Sequence, residues 1–206
     1  MLRRAPSQDL PCRDAKVEGL ASSTSSREVT LVLSGPIVLD WCRAEIGPGD
    51  EAAIADLAAL DALCNSHPWS REDFLQSLRD GHLCLVARAD DGHLIGFAVA
   101  RALPDEAELL LIGIHPEHRR EGVGRSLLTA LERRLAALGA RCMHLEVRAL
   151  NVGAQRFYES LGYRRSGLRR AYYPAGRHAS EREDAVLMTH AWSEATVPTQ
   201  PTTGGV

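Results

Sequence analysis

Apolar residues recur at helical spacing in four parts of the chain. Long stripes in residues 50–65 and 123–138 predict two amphipathic helices. Shorter helices are predicted after Ser70 and over residues 151–161, because Ser70 and Asn151 are good N-caps. The stripes consist of Ile54, Leu57, Leu60 and Leu63 in the first helix, Phe74 and Leu78 in the second, and Leu127, Leu128, Leu131, Leu135 and Leu138 in the third.

Strands are predicted wherever apolar residues alternate with polar ones or run continuously. Residues 83–88 and 93–101 flank an Asp-Gly pair, a strong signal for an antiparallel hairpin. Residues 108–114 are almost entirely apolar, which is typical of a central strand buried on both faces. The other predicted strands are residues 37–46, 142–147, 163–173 and 185–190. Strands and helices in this order indicate an α/β (α+β) domain.

The pattern stops near both ends of the chain. Residues 1–35 are rich in serine and proline without any regular period, so they are predicted to be a disordered extension. Residues 36–192 form the predicted domain, and residues 193–206 a disordered tail. The longest apolar run, residues 109–114, is far shorter than the ~20 residues of a membrane helix. We therefore expect a cytoplasmic protein.

Charge and cysteine content narrow the class further. The net charge is −3, yet residues 115–182 hold 14 Arg against 6 Glu. A basic region of this size suits a phosphorylated cofactor, whereas a nucleic-acid-binding protein is usually basic overall. Five cysteines without CxxC spacing argue against both a disulfide framework and a zinc knuckle.

A phosphate-binding segment is predicted where the central strand leads into the second long helix. Amides in the first turn of a helix have no internal acceptor and lie at the positive end of its dipole. Glycines let a ligand approach these amides, and arginines add charge-assisted hydrogen bonds. The candidate residues are Ile112, Gly113, Ile114, Arg119, Arg120, Glu121, Gly122, Val123, Gly124 and Arg125. The spacing matches neither a P-loop nor a dinucleotide fingerprint, and an ordinary surface turn is an equal alternative.

This segment resembles a known signature. Residues 119–124, Arg-Arg-Glu-Gly-Val-Gly, are similar to the R/Q-x-x-G-x-G/A coenzyme A motif of the GNAT acetyltransferase superfamily. Further motifs resemble its RimI branch, the ribosomal-protein-alanine N-acetyltransferases: HPWS at 67–70, LEVRALN at 145–151, FYESLGY at 157–163, RRAYYP at 169–174 and REDA at 182–185. The resemblance implies the GNAT fold, a mixed, mostly antiparallel central sheet of about seven strands flanked by about four helices.

The resemblance also implies roles in acetyl transfer from acetyl-coenzyme A. Glu146 matches the general base, which takes a proton from the acceptor amine directly or through a water; pairing with Arg148 or Arg156 is the alternative. Tyr158 matches the general acid and contacts the cofactor, and packing alone is its alternative role. Asn151 matches a residue that orients the cofactor, although an N-cap needs no ligand.

The acceptor site is implied to lie between two aromatic segments. Trp69, Tyr172 and Tyr173 would contact an extended peptide whose amine meets Glu146, and core packing is the alternative for each aromatic ring. Residues 176–181 lengthen this wall of the site relative to the family, so acetyl transfer is more firmly implied than the peptide acceptor.

The resemblance implies an N-terminal protein acetyltransferase that works by direct attack in a ternary complex. The implied acceptor is the N-terminal alanine of a small-subunit ribosomal protein. A GNAT enzyme for small-molecule amines or lysine side chains, and a non-catalytic coenzyme A-binding regulatory module, remain alternatives. No metal is expected, because His115 and His118 flank a proline-containing loop and HExxH is absent. Neither nucleic-acid nor membrane contact is expected.

Overall fold

The computed structural model describes residues 31–33, 35–42, 50–174 and 182–192. These residues form eight strands and four α-helices. The strands are β1 (Leu31–Leu33), β2 (Gly35–Cys42), β3 (Leu83–Arg88), β4 (Leu94–Ala102), β5 (Glu106–Ile114), β6 (Cys142–Arg148), β7 (Arg164–Tyr173) and β8 (Glu183–Ala191). The helices are α1 (Asp50–Cys64), α2 (Arg71–Arg79), α3 (Val123–Ala137) and α4 (Val152–Glu159).

All the described strands lie in one sheet, in the order β1-β2-β3-β4-β5-β6-β8-β7. Neighbouring strands are antiparallel except β5 and β6, which are parallel and are connected through α3. Helix α3 therefore begins beside the end of β5. The mixed, mostly antiparallel sheet and its helices confirm the predicted fold class.

Helices cover both faces of the sheet. Helices α1 and α2 bury Ile54, Leu57 and Phe74 against one face, where the rings of Phe74 and Phe97 lie 5.7 Å apart. The leucine stripe of α3 and residues of α4 pack on the opposite face. Leu127, Leu128, Leu131 and Leu135 are completely buried there.

Two leucines of the predicted stripes are exposed, contrary to prediction. Leu63 is 59% exposed, because nine residues after Ile54 at ~100° per residue bring a side chain to the opposite side of a helix. Leu138 is 50% exposed and is the C-cap of α3, after which Gly139 takes a left-handed φ of 100°. Helix α3 therefore ends one residue earlier than predicted.

Short-range signals are confirmed in atomic detail. Ser70 accepts a hydrogen bond from the Asp73 N–H while the Asp73 carboxylate accepts one from the Ser70 N–H, a complete capping box. Asn151 caps α4 by accepting a bond from the Ala154 N–H at 3.0 Å. Gly92 adopts φ 85° in the turn between β3 and β4, as the Asp-Gly signal requires.

The N-terminal boundary differs from the prediction. Strand β1 pairs with β2, and both begin inside the segment predicted to be a disordered extension. Residues 1–30, the end of the first predicted strand at 43–46 and the predicted tail at 193–206 lie outside the described residues. None of the described helices has both the length and the apolar character needed to cross a bilayer.

Candidate active site

Strands β5 and β6 pair at one end and separate at the other. Their ladder runs from Glu106 opposite Cys142 to Leu109 opposite Leu145. Beyond that point β5 continues to Ile114 without pairing to β6. The backbone edges that face each other across this gap therefore lack a strand partner and can bind an extended ligand.

A β-bulge lies at the point where the strands separate. Val99 of β4 is opposite Leu111 while Ala100 is opposite Leu109, so Leu110 is an extra residue in β5. A bulge bends its strand and increases the local twist. As a result Leu110, Leu111 and Ile112 are only partly buried, whereas the sequence predicted burial on both faces.

The predicted phosphate-binding loop has amides free for an anion. The first hydrogen bond of α3 runs from the Ser126 N–H to the Gly122 carbonyl at 3.0 Å. The amides of Val123, Gly124 and Arg125 therefore have no acceptor within the helix. Gly122 forms the N-cap in a left-handed conformation with φ 86°, and it lacks a side chain to cap the helix. This geometry leaves the positive end of α3 open to a phosphate.

Arginine side chains surround this helix start. Arg119, Arg120 and Arg125 are exposed. The Arg119 Nε donates to the Ile114 carbonyl at 3.3 Å, which joins the loop to the end of β5. Glu121 lies 3.0 Å from His118 Nδ1, so this carboxylate is held by the loop itself. The donor set, three guanidinium groups beside free amides, suits a pyrophosphate.

Two glycines of the predicted cofactor site also serve packing. A Cβ on Gly124 would lie 3.2 Å from the Phe157 ring, so glycine lets α4 approach the start of α3. A Cβ on Gly113 would lie 2.5 Å from the Phe97 ring, inside the contact distance. The sequence interpretation considered a ligand or a surface turn for the glycines at the start of α3, whereas packing in the protein interior also requires small residues at Gly113 and Gly124.

Glu146 is the first residue of β6 beyond its ladder with β5. Its carboxylate Oε1 lies 2.8 Å from a guanidinium nitrogen of Arg169 on β7. Burial, together with a hydrogen bond to Glu146, raises the pKa of Tyr172, whose ring also faces the Arg169 guanidinium at 5.3 Å. The partners considered from sequence, Arg148 and Arg156, do not form the pair with Glu146 among the described residues.

Arg148 instead belongs to a second ion pair beside the first. It lies 2.8 Å from Glu183 of β8 and its guanidinium stacks over the Tyr173 ring at 4.4 Å. It also contacts His67 Nδ1 at 2.9 Å, which ties the segment between α1 and α2 to β6. Burial and the nearby Glu146 carboxylate raise the pKa of Tyr173.

Tyr158 projects from α4 into the protein interior and is 6% exposed. Burial raises its pKa far above the usual value for tyrosine, and the neighbouring Tyr173 adds to the effect. Its hydroxyl has no hydrogen-bond partner within the described part of the chain. The phenol is therefore protonated at physiological pH and can donate a hydrogen bond to a ligand.

Trp69 is placed differently from the other predicted acceptor residues. Its ring packs on Phe74 with centroids 5.3 Å apart, and its backbone N–H donates to buried Asp61 at 2.7 Å. This contact favours the packing alternative for Trp69. Glu146, Tyr172 and Tyr173, by contrast, interact with one another.

Comparisons with known proteins identify the family. The model of the Acetyltransferase (GNAT) family matches residues 53–163. The ribosomal protein bS18-alanine N-acetyltransferase of Salmonella typhimurium is 37% identical over 129 residues, which are 63% of this chain and 84% of that enzyme. The crystal structure of the ribosomal-protein-S18-alanine N-acetyltransferase from Escherichia coli has a TM-score of 0.65 at 29% identity, covering 79% of this chain and 99% of that one. Naa20 of Chaetomium thermophilum, in complex with a bisubstrate analogue, has a TM-score of 0.61 at 26% identity and covers 75% and 86%.

The region matched by the family model contains the point where β5 and β6 separate, the loop at the start of α3, Glu146 and Tyr158. Enzymes of this family transfer the acetyl group of acetyl-coenzyme A. This chain therefore belongs to the acetyltransferase (GNAT) family and is similar to its RimI branch.

Proposed function

We propose that this enzyme acetylates the α-amine of a protein N-terminus, with the N-terminal alanine of a small-subunit ribosomal protein as its acceptor. The observation that carries the proposal is the position of Glu146, at the point where β5 and β6 separate and beside Tyr172 and Tyr173. The names of the relatives in Salmonella typhimurium and Escherichia coli support the acceptor.

The phosphates of acetyl-coenzyme A are proposed to bind the start of α3. The amides of Val123 to Arg125 would donate to the pyrophosphate, and Arg119, Arg120 and Arg125 would add charge. The backbone of Ile112, Gly113 and Ile114 would hold the pantetheine arm along the open edge of β5, with Asn151 and Glu121 at the sides. The cofactor supplies the thioester carbonyl that the amine attacks.

Glu146 is proposed to accept the proton of the acceptor amine. An N-terminal amine with a pKa of about 7.7 to 8.0 is mostly protonated at pH 7, so a base must act before or during the attack. Arg169 holds one carboxylate oxygen of Glu146 in the free enzyme. An incoming ammonium competes with this guanidinium for the same carboxylate, directly or through a water.

Tyr158 is proposed to stabilise the departing thiolate of coenzyme A. A thiol has a pKa near 8.5, while burial raises the pKa of Tyr158 above its ordinary value of about 10. Full proton transfer from the phenol to the thiolate is therefore unfavourable. A hydrogen bond from the Tyr158 hydroxyl stabilises the thiolate first, and the sulfur takes its proton from solvent afterwards.

The acceptor chain is proposed to lie against Tyr172 and Tyr173. The tyrosine rings are held by cation–π contacts with Arg169 and Arg148, which order this surface. Extended peptides bind mainly through their backbone, so aromatic walls of this kind suit a chain terminus. The cytoplasm, where ribosomal proteins are made, is the proposed compartment.

The test compares three acceptors with purified full-length enzyme and acetyl-coenzyme A. One peptide begins with alanine, a second has the same sequence with a blocked N-terminus and an internal lysine, and the third acceptor is a small primary amine. Mass spectrometry should find acetylation of the free N-terminus alone. Transfer only to the lysine or to the small amine would refute the acceptor, and no transfer to any amine would refute the proposed activity.

The proposed roles predict the effect of two conservative substitutions. Glu146→Gln and Tyr158→Phe should each lower kcat by about 10²- to 10⁴-fold, the usual contribution of acid–base groups. Binding of acetyl-coenzyme A should stay within about threefold of the wild type, since neither side chain belongs to the proposed phosphate site at the start of α3. An unchanged rate in both variants would contradict the roles of Glu146 and Tyr158.

A further inference from the structure

Three potential metal ligands meet on one face of the sheet, at the end where β5 and β6 are paired. Glu106 of β5 lies opposite Cys142 of β6, and His144 follows two residues later on the same side of its strand. One ligand atom from each of the three lies within 4.8 Å of the other two. We propose that Glu106, Cys142 and His144 bind a Zn²⁺ ion.

The spacing of the ligand atoms suits a tetrahedral ion. Cys142 Sγ lies 3.5 Å from His144 Nε2, and Glu106 Oε2 lies 3.5 Å from the same nitrogen. Zinc–sulfur bonds of about 2.3 Å and zinc–nitrogen or zinc–oxygen bonds of about 2.0 to 2.1 Å separate ligand atoms by roughly 3.3 to 3.6 Å at tetrahedral angles. Two of the three ligand-atom distances therefore match those around a bound zinc ion, and the Glu106 and Cys142 ligand atoms lie within 4.8 Å of each other.

The hydrogen bonds of His144 orient it as a ligand. Its Nδ1 lies 2.8 Å from the Thr189 hydroxyl, which in turn donates to the Ser166 hydroxyl at 3.0 Å. With Thr189 Oγ1 accepting from Nδ1–H, the ring would bind the ion through Nε2, the nitrogen that faces Glu106 Oε2. Metal-binding histidines are commonly held by such a bond to the other ring nitrogen.

Exposure and charge favour entry of a cation. The side chains of His144 and Glu106 are 24% and 32% exposed, while Cys142 lies beneath them. The neighbouring Arg101 is paired with Glu108, which offsets its positive charge. When the zinc–sulfur bond forms, the thiol proton passes to solvent, so a thiolate and a carboxylate balance the two charges of Zn²⁺. A water completes the fourth position.

The ion would tie β5 to β6 below the gap that Glu146 faces. Glu106 lies on β5 and the other two ligands on β6, and Thr189, whose hydroxyl contacts His144, belongs to β8. The sequence interpretation expected no metal, because CxxC and HExxH spacings are absent and His115 and His118 flank a proline-containing loop. Glu106 and Cys142 are brought together by parallel strand pairing, which no local spacing reveals.

The test uses the full-length protein, dialysed against a chelator and titrated with Co²⁺ as a spectroscopic substitute for Zn²⁺. We expect one equivalent of Co²⁺ to produce a thiolate-to-cobalt charge-transfer band, which Zn²⁺ abolishes by displacement. Cys142→Ser should remove the band, and Glu106→Gln and Thr189→Val should each weaken binding by at least about tenfold. Cys84→Ala, which removes a buried cysteine elsewhere in the core, is the matched control and should keep the band.

Stability provides a second measurement that does not depend on the spectrum. Zn²⁺ should raise the melting temperature of the wild type and of Cys84→Ala, raise that of Glu106→Gln by less, and leave that of Cys142→Ser unchanged. Circular dichroism without metal shows whether each variant is folded. The absence of a thiolate band in the folded wild type, or its persistence in Cys142→Ser, would overturn the proposal.

Discussion

Two glycines at opposite ends of α3 allow a matched test of the phosphate-binding loop. Gly122 precedes the helix with φ 86°, and Gly139 follows it with φ 100°. Both have left-handed backbone conformations that a side chain disfavours by about 1 to 2 kcal/mol. Gly122→Ala and Gly139→Ala should therefore destabilise the protein by similar amounts, while only Gly122 lies at the predicted cofactor site.

The magnitudes follow from the structure. For a domain of this size, about 1 to 2 kcal/mol corresponds to a fall in melting temperature of roughly 2 to 8 °C for either variant. At Gly139 a Cβ would meet no atom within 4 Å, so backbone strain is the whole effect there. At Gly122 a shift of the loop also misplaces the first amides of α3. Loss of one hydrogen bond to a charged phosphate, about 1.5 to 3 kcal/mol, would weaken cofactor binding roughly ten- to hundredfold.

Calorimetric titration with acetyl-coenzyme A and thermal unfolding measure the two effects separately. The expected result is a similar loss of stability in both variants and a loss of cofactor affinity in Gly122→Ala alone. Equal affinities in the two variants would refute the position of the phosphate. If Gly139→Ala lost as much cofactor affinity as Gly122→Ala, strain transmitted through α3 would explain the loss, and the proposed position of the phosphate would again be refuted.

Three further predictions concern a helix cap, a buried carboxylate and an ion pair. Ser70→Ala should cost about 1 kcal/mol. The hydrogen bonds from Ser70 lower the pKa of Asp73 in the folded state. The stabilisation from this pair is therefore present above the pKa of unfolded Asp73 and is lost as pH falls through the lower, folded pKa. Acid unfolding of Ser70→Ala should depend less on pH below about pH 4, and an unchanged dependence would contradict this. Asp61→Asn should lower the free energy of unfolding in denaturant by about 1 to 3 kcal/mol. The buried Asp61 carboxylate accepts two hydrogen bonds, and the asparagine amide would place its NH₂ group against one of the two donors. An unchanged unfolding midpoint would be evidence against this prediction. Arg169→Met should lower the peptide KM about fivefold, because it frees Glu146 from a partly exposed ion pair worth about 1 kcal/mol. The KM for acetyl-coenzyme A is the control. An equal or higher peptide KM would rule out competition between Arg169 and the acceptor amine for Glu146.

Local signals in the sequence predicted the elements well because their physics is local. A capping box joins residues three apart, and the Asp-Gly turn needs only one left-handed glycine. The leucine stripe of α3 works in the same way, since a helix brings residues three and four apart onto one face. The errors at Leu63 and Leu138 arose where a stripe was extended beyond the arc that contacts the sheet.

The site could be predicted only as far as a family motif reached. Arg119 to Gly124, Glu146 and Tyr158 follow from the resemblance, but the partner of Glu146 does not. Arg169 meets Glu146 because β8 pairs with both β6 and β7, and this register cannot be read from residues so far apart in the chain. The Leu110 bulge, which accompanies the separation of β5 and β6, is likewise a property of strand pairing.

By itself, then, the sequence determined the order of strands and helices from β2 onward and the family, and it predicted an anion-binding helix start. Each of these depends on residues that are close in the chain or on a pattern that a family shares. Tertiary structure decided the gap between β5 and β6, the ion pairs around Glu146 and the meeting of Glu106, Cys142 and His144. These contacts join residues that are distant in sequence, so they exist only once the strands have paired in a particular register.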